Sequence, residues 1–278
     1  MRRSIQDVIS LNAVSYAKYF PILLSVVKSW PTLLLDYIGI TNSARTYILR
    51  NGFKITTGDG ISSGTIVVIF VKKDYGEVPE SNSIIIDIGA NIGCYSLYAA
   101  QSEGTKIYAF EPMPENFALL QENVKQNNLE EQIKVFPYAV SGEEEERTLY
   151  LGSSPLHSFL PIQKSPFHAK FSQDAQSQEQ ESITVPCISL QQVFDDNNIR
   201  LCDLLKIDCE GGEYDILYNL PAEYYKRISH IRMEYHNHLQ NDRNTGKALI
   251  QFLTDQGFKI VKIKKGSEYQ GDIWLERL

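Results

Sequence analysis

The sequence predicts an α/β fold in which a mostly parallel sheet is covered on both faces by helices. Two observations carry this expectation. From Ser83 onward, short apolar runs alternate with segments of helical pattern. The runs themselves are nearly continuous in Val, Ile and Leu, as strands buried on both faces are. The chain has 278 residues, 43% hydrophobic and 22% charged, enough for one large domain or one domain with an extension. Its formal net charge of -7 argues against a broad electrostatic footprint for nucleic acid.

Residues 1–50 read as mostly helical, and turn-rich strands follow around NGFKITTGDG and GTIVVIFV. Asn51-Gly52 and Asp59-Gly60 are hairpin-type dipeptides, so residues 1–80 are expected to form a helical and short β extension. Asp7 and Asn12 interrupt any apolar stretch of signal-peptide type. YFPILLSVV, residues 19–27, is too short to span a bilayer. The simple reading is a pair of short helices docked on the main domain; the alternative is peripheral membrane contact through residues 16–40. Cys94, Cys187, Cys202 and Cys209 show neither C-x-x-C pairing nor zinc-site spacing; Cys94, Cys202 and Cys209 lie in or beside apolar runs and read as small buried thiols, and a reducing cytoplasm fits.

The main domain is expected over residues 81–278. IIIDI reads as a strand, residues 94–102 as a helix, KIYAFE as a strand, and a helix begins near Pro114, which suits a first helical position. IKVF, DLLKID and ISHIRMEY continue as strands, with helices over EYDILYNL and GKALIQFLTDQ. KIVKI and DIWLERL are two final strands that suit an antiparallel edge hairpin. GEEEE, residues 142–146, reads as a solvated turn. Residues 152–182, rich in Ser, Gln and Pro, break the alternation and read as an insertion loop that covers the substrate side.

In such a sheet, ligands bind beyond the carboxyl ends of the strands. DIGANIG places Asp87 at one such end, with Gly89 permitting a tight turn and Gly93 a close helix approach. A dinucleotide loop would read G-x-G-x-x-G, but Asn91 stands where the middle glycine would let backbone meet a pyrophosphate. That makes a nicotinamide-dependent oxidoreductase a poor fit; S-adenosyl-L-methionine, which has no phosphates, fits better. Glu111, ending the next strand in AFEP, is placed to hold ribose hydroxyls. LLKIDCEGGEYDIL crowds Lys206, Asp208, Glu210 and Glu213 around two glycines, and such crowding raises carboxylate pKa values toward those of a proton acceptor. Glu213 reads as a favourable first-turn charge and Lys206 as the partner of one neighbour. Glu234 and His236 end the fifth strand, and with Asp208 they suit either a divalent ion or a metal-free acid-base pair.

In order and spacing, IIIDIGANIGCYSLYAA, AFEPMPENFALLQENVKQNNL, YAVSG, SLQQV and LLKIDCEGGEYDIL resemble the FkbM-type family of S-adenosylmethionine-dependent methyltransferases over about residues 83–236. LRNGFKI looks like a segment of relatives associated with glycan biosynthesis. The resemblance implies the class I, Rossmann-like methyltransferase fold, a seven-stranded sheet with an antiparallel last strand. It implies that Asp87, Gly89, Asn91 and Gly93 line the methionine end of the cofactor. Glu111 would hold the ribose, Pro112 would belong to the same cofactor site, and Tyr138 and Ala139 would border the adenine. Asp208, which the resemblance also places against the cofactor, and Glu210 would stand beside the methyl group. The expected activity is an O-methyltransferase acting on a sugar, glycan or secondary-metabolite hydroxyl, with Asp208, Glu210, Glu234 or His236 supplying the chemistry. The alternative is a binding or scaffold protein that kept the fold.

Overall fold

A computed structural model describes residues 18–41, 43–58, 63–151, 158–159, 182–237 and 242–278. Short helices span Phe20–Val26 and Trp30–Tyr37, each with a proline in its first turn. Strands β1 (Arg45–Ile48) and β2 (Lys54–Thr57) follow as an antiparallel hairpin around Asn51-Gly52. β1 falls at the end of residues 1–50, which read as mostly helical. Tyr47 and Leu49 are buried on one face of it while Thr46 and Ile48 are outward, the alternation of a half-buried strand.

GTIVVIFV corrects an expected strand. It forms a helix, Gly64–Ile66, continuing as a π-helical turn, Val67–Val71. An unbroken apolar run has no period that separates strand from buried helix. Here Val67, Ile69, Phe70 and Val71 are all buried, and packing overrides their β preference.

The main sheet then builds from β3 (Ile84–Ile88), β4 (Lys106–Phe110) and β5 (Ile133–Phe136), with helices Cys94–Ala99 and Pro114–Gln126 between them. Three strands form part of a second, smaller sheet: β6 (Ala139–Ser141), β7 (Glu145–Leu151) and β9 (Ser182–Ser189), joined at its edge by β8 (Ser158–Phe159). Sequence reading missed this sheet. GEEEE is not wholly a turn, since Glu145 and Glu146 pair with Cys187 and Pro186. The insertion loop expected over 152–182 lies almost entirely outside the described residues. Helix Leu190–Asp196 begins at a capping box between Ser189 and Gln192.

The chain returns to the main sheet through β10 (Cys202–Ile207), helices Glu213–Asn219 and Ala222–Tyr225, β11 (Ile228–His236), helix Gly246–Asp255, β12 (Phe258–Lys265) and β13 (Gln270–Arg277). The seven-stranded order is β12-β13-β11-β10-β3-β4-β5. β13 runs antiparallel to both neighbours, and β10, β11, β3, β4 and β5 pair in parallel. This is the class I methyltransferase topology. The final hairpin forms as expected, but β13 is inserted between β11 and β12, so β12 alone is the edge.

One buried cluster covers the first face, joining Ile85, Tyr95 and Leu120 to Leu23, Leu33, Tyr47, Ile55 and Phe70 of the preceding segment. The extension therefore shares the sheet's core. Its hairpin edge is closed by helix Pro114–Gln126: Asn127 accepts from Lys54 N–H (2.8 Å) and donates to its carbonyl (2.7 Å), and Asn123 does the same at Thr56 (2.7 and 3.0 Å). Two side-chain amides thus satisfy backbone groups that a strand edge would leave open.

Candidate active site

The order of strands reverses at β3, where β4 lies on one side and β10 on the other. A cavity of about 400 Å³ opens at their carboxyl ends. Its walls combine Gly89, Asn91, Glu111 and Pro112 with Tyr138, Ala139, Asp208, Glu210 and Glu234. Thr65, Val68, Ile69 and Tyr75, from the segment before the main domain, complete it.

The turn after β3 is built on positive φ angles: +73° at Gly89, +52° at Asn91 and +87° at Gly93. A Cβ at Gly89 would lie 1.8 Å from the backbone oxygen of Asp208, so this glycine lets the β3 loop touch the end of β10. Gly93 serves packing: a Cβ there would meet Leu120 at 2.6 Å. Asn91 stabilises its left-handed backbone by accepting from Ile92 N–H (2.9 Å), a local turn that asparagine makes readily.

Asp87 does not face the cavity. It is fully buried behind the loop, where Ser96 donates to it at 2.7 Å and the Lys206 ammonium stands 3.1 Å away. Lys206 is opposite Asp87 in the parallel register, lies 3.9 Å from Asp208, and donates to the carbonyl of Gly89 at 2.8 Å. It ties β3, its loop and β10 together rather than pairing with one neighbour. Asp87 and Asp208 keep it charged against the cost of burial.

Glu111 is buried at the cavity wall. Asn91 N–H donates to its Oε2 (2.8 Å) and Met113 N–H to its Oε1 (3.0 Å). Burial pushes its carboxyl up to about 7 despite these donors. The Asn116 side chain hydrogen-bonds the same carboxylate.

Around β10 and β11 the structure brings together Asp208, Glu210 and Glu234. Tyr75 donates to Asp208 Oδ2 at 2.7 Å, a contact between residues 133 positions apart that no local pattern announces. Gln270 donates to Glu234 Oε1 at 2.6 Å. Burial, with Asp208 nearby, raises Glu234 to about 8; burial raises Glu210 to about 7, opposed by His236.

His236, expected at the site as a base or a metal ligand, is not among the residues that line the cavity. Its ring stands behind Glu210, with Nε2 at 3.5 Å from Glu210 Oε2 and Nδ1 at 3.3 Å from Glu213 Oε1. Burial works against charge on the ring, yet Glu213, Glu210 and Glu234 hold its pKa up at about 10. At neutral pH it is an imidazolium and has no lone pair with which to accept a proton. Glu213, fully buried, does more than favour a helix start: it also accepts from the N–H groups of His236 and of Gly211, the latter at 2.9 Å. Among the described residues, no group of three His, Cys, Asp or Glu side chains is arranged to hold a metal ion, so Asp208, Glu234 and His236 do not form such a set. No helix among them is long and apolar enough to cross a membrane.

The profile described as methyltransferase FkbM domain matches residues 87–260, more than half of the 278. Methyltransferase 1 of Beauveria bassiana is 27% identical over 201 residues, covering 69% of this chain and 79% of that protein. The 31-O-demethyl-FK506 methyltransferase FkbM of Streptomyces tacrolimicus is 27% identical over 196 residues, covering 64% and 73%. The solved structure of methyltransferase FkbM from Methylobacillus flagellatus aligns over 76% of this chain and 47% of its own, with 14% identity and a TM-score of 0.48.

Proposed function

This chain belongs to the methyltransferase FkbM domain family, and we propose that it moves a methyl group from S-adenosylmethionine to a hydroxyl of a sugar, glycan or secondary metabolite. The charge of the cavity wall carries the reading. Glu111, Asp208, Glu210 and Glu234 line it, and no lysine or arginine does among the described residues. A pyrophosphate would find no cation among the described lining residues, whereas a ligand bearing a sulfonium and an ammonium finds carboxyl groups that can ionise against it.

S-adenosylmethionine, when bound, supplies a methyl carbon that is already electrophilic. Glu111 would hold its ribose, Gly89 and Asn91 its methionine end, and Tyr138 with Ala139 its adenine side. The chain's remaining task is to position an acceptor and manage its proton. An alcohol is a weak nucleophile, so a base that takes its proton as the new bond forms lowers the barrier. Asp208, Glu210 and Glu234 stand together for that role, and Glu210 near 7 and Glu234 near 8 can take or release a proton at neutral pH. Tyr75 fixes the rotamer of Asp208 through its hydroxyl.

The name of the Streptomyces tacrolimicus relative refers to an O-demethyl compound, which supports an oxygen as the acceptor atom. The test combines calorimetry with S-adenosylmethionine and transfer of labelled methyl to a panel of sugars, glycans and hydroxylated metabolites. Binding with transfer to a hydroxyl is the expected result. No cofactor binding would overturn it in favour of a fold-retaining scaffold protein, and transfer to nitrogen or carbon alone would overturn the hydroxyl assignment.

A further inference from the structure

We infer that Glu213, His236 and Glu210 form a three-residue chain in which Glu210 receives the acceptor's proton and His236 is a positioning residue clamped between the two carboxylates. The inference rests on the methyl-transfer reading above, and it names which of the clustered carboxylates meets the hydroxyl.

The anchor is Glu213. A carboxylate fully buried at the start of a helix is costly unless its oxygens are occupied. Its Oε2 accepts from Gly211 N–H at 2.9 Å, and its Oε1 from the backbone N–H of His236, with His236 Nδ1 at 3.3 Å. One side chain thereby joins the loop after β10 to the carboxyl end of β11. The other ring nitrogen, Nε2, stands 3.5 Å from Glu210 Oε2. Carboxylates at both nitrogens favour a ring that donates from both, because a neutral ring would turn a lone pair toward an ionised carboxylate.

Glu210 itself is held in an unusual backbone state. Its φ is +53° and that of Gly211 is +109°. A non-glycine residue in the left-handed region is uncommon and is concentrated at functional sites. Here the turn places Glu210 on the cavity wall while Glu213 grips the next N–H. Glu210 Oε2 faces the imidazolium, and Oε1 takes no hydrogen bond among the described residues, which leaves it for the acceptor. The charged groups facing Glu210 are Asp208 from the end of β10, Glu213 from the helix start and His236 from β11. Those facing His236 are Glu213, Glu210 and Glu234.

In the step, the acceptor's O–H bond breaks as its oxygen takes the methyl group, and the proton passes to Glu210 Oε1. The electron pair of the severed methyl–sulfur bond stays on sulfur. His236 keeps its proton throughout; its charge keeps Glu210 ionised beforehand.

The test has two arms on the full chain. In the first, nitrogen NMR of His236 in the ligand-free protein is expected to show both ring nitrogens protonated at pH 7, and Glu213→Gln to lower the pH at which that signature is lost. A neutral ring at pH 7 overturns the clamp whatever the acceptor. In the second, with an acceptor found by labelled-methyl transfer, Glu210→Gln is expected to lose about 100-fold in kcat, with KM for the cofactor nearly unchanged. His236→Gln is expected to lose less and to move the acid limb of kcat upward by about one pH unit, because Glu210 loses its cation. A purely structural His236 would lower thermal stability without moving that limb. Wild-type turnover in Glu210→Gln, or an unmoved limb in His236→Gln, overturns the assignment. Absence of any cofactor binding by the wild type instead defeats the methyl-transfer reading and leaves the NMR arm to judge the clamp.

Discussion

Gly89→Ala tests the geometry that joins β3 to β10. The new methyl would sit 1.8 Å from Asp208 O, well inside any permissible contact, and the atom it meets is backbone rather than a flexible side-chain end. Gly89 also has φ +73°, which costs a residue with a Cβ about 1–2 kcal/mol. Relief of the overlap requires the loop and the end of β10 to separate by more than an ångström, and comparable overpacking costs about 1–3 kcal/mol. The sum is roughly 2–5 kcal/mol, equivalent to a fall in Tm of roughly 5–15 °C for a chain of this size. Because Asp208 moves with its carbonyl, S-adenosylmethionine affinity should fall as well. Thermal unfolding and calorimetry on the same preparation measure both. Gly52→Ala is the control: its φ is +95° but nothing lies within 4 Å of its Cβ position, so only the conformational cost of about 1–2 kcal/mol applies. Equal losses in the two variants, or wild-type stability and affinity in Gly89→Ala, would refute the reasoning.

Lys206→Met leaves Asp87 fully buried beside Ser96 alone and should destabilise the chain by about 3–5 kcal/mol; combining it with Asp87→Asn should recover part of the loss in denaturant unfolding. Glu111→Gln removes the charge from an acceptor set against the cavity and should weaken S-adenosylmethionine binding by about 1.5–3 kcal/mol, roughly ten- to a hundredfold in Kd by calorimetry. Glu234 titrates near 8 in the folded chain against 4.5 in its absence of interactions. The folded state therefore binds the extra proton between those values, and this group's contribution to stability is complete below pH 4.5 and lost as pH rises through 8. Glu234→Gln should accordingly raise Tm at pH 9 and leave it unchanged at pH 4; a Tm gain that is the same at both pH values would show that the effect is not ionic.

What the sequence determined by itself was the periodic and the local. Alternation of IIIDI, KIYAF, IKVF, DLLKI and ISHIRMEY with helical segments was enough for the parallel sheet, because buried strands must be apolar on both faces. DIGANIG and AFEP were enough to locate the cavity, since a turn that needs positive φ shows itself as glycine and asparagine. Tertiary structure decided what depends on register and packing. Lys206 meets Asp87 only because β10 and β3 align those residues across 119 positions of chain, which turns a presumed ligand contact into a buried ion pair. GTIVVIFV is a helix because it has a core to fill on several sides, and its composition alone favours a strand. His236 shares a strand end with Glu234, which suggested a base. Charge at a histidine is set by what faces both nitrogens, and only the folded chain puts Glu213 and Glu210 there.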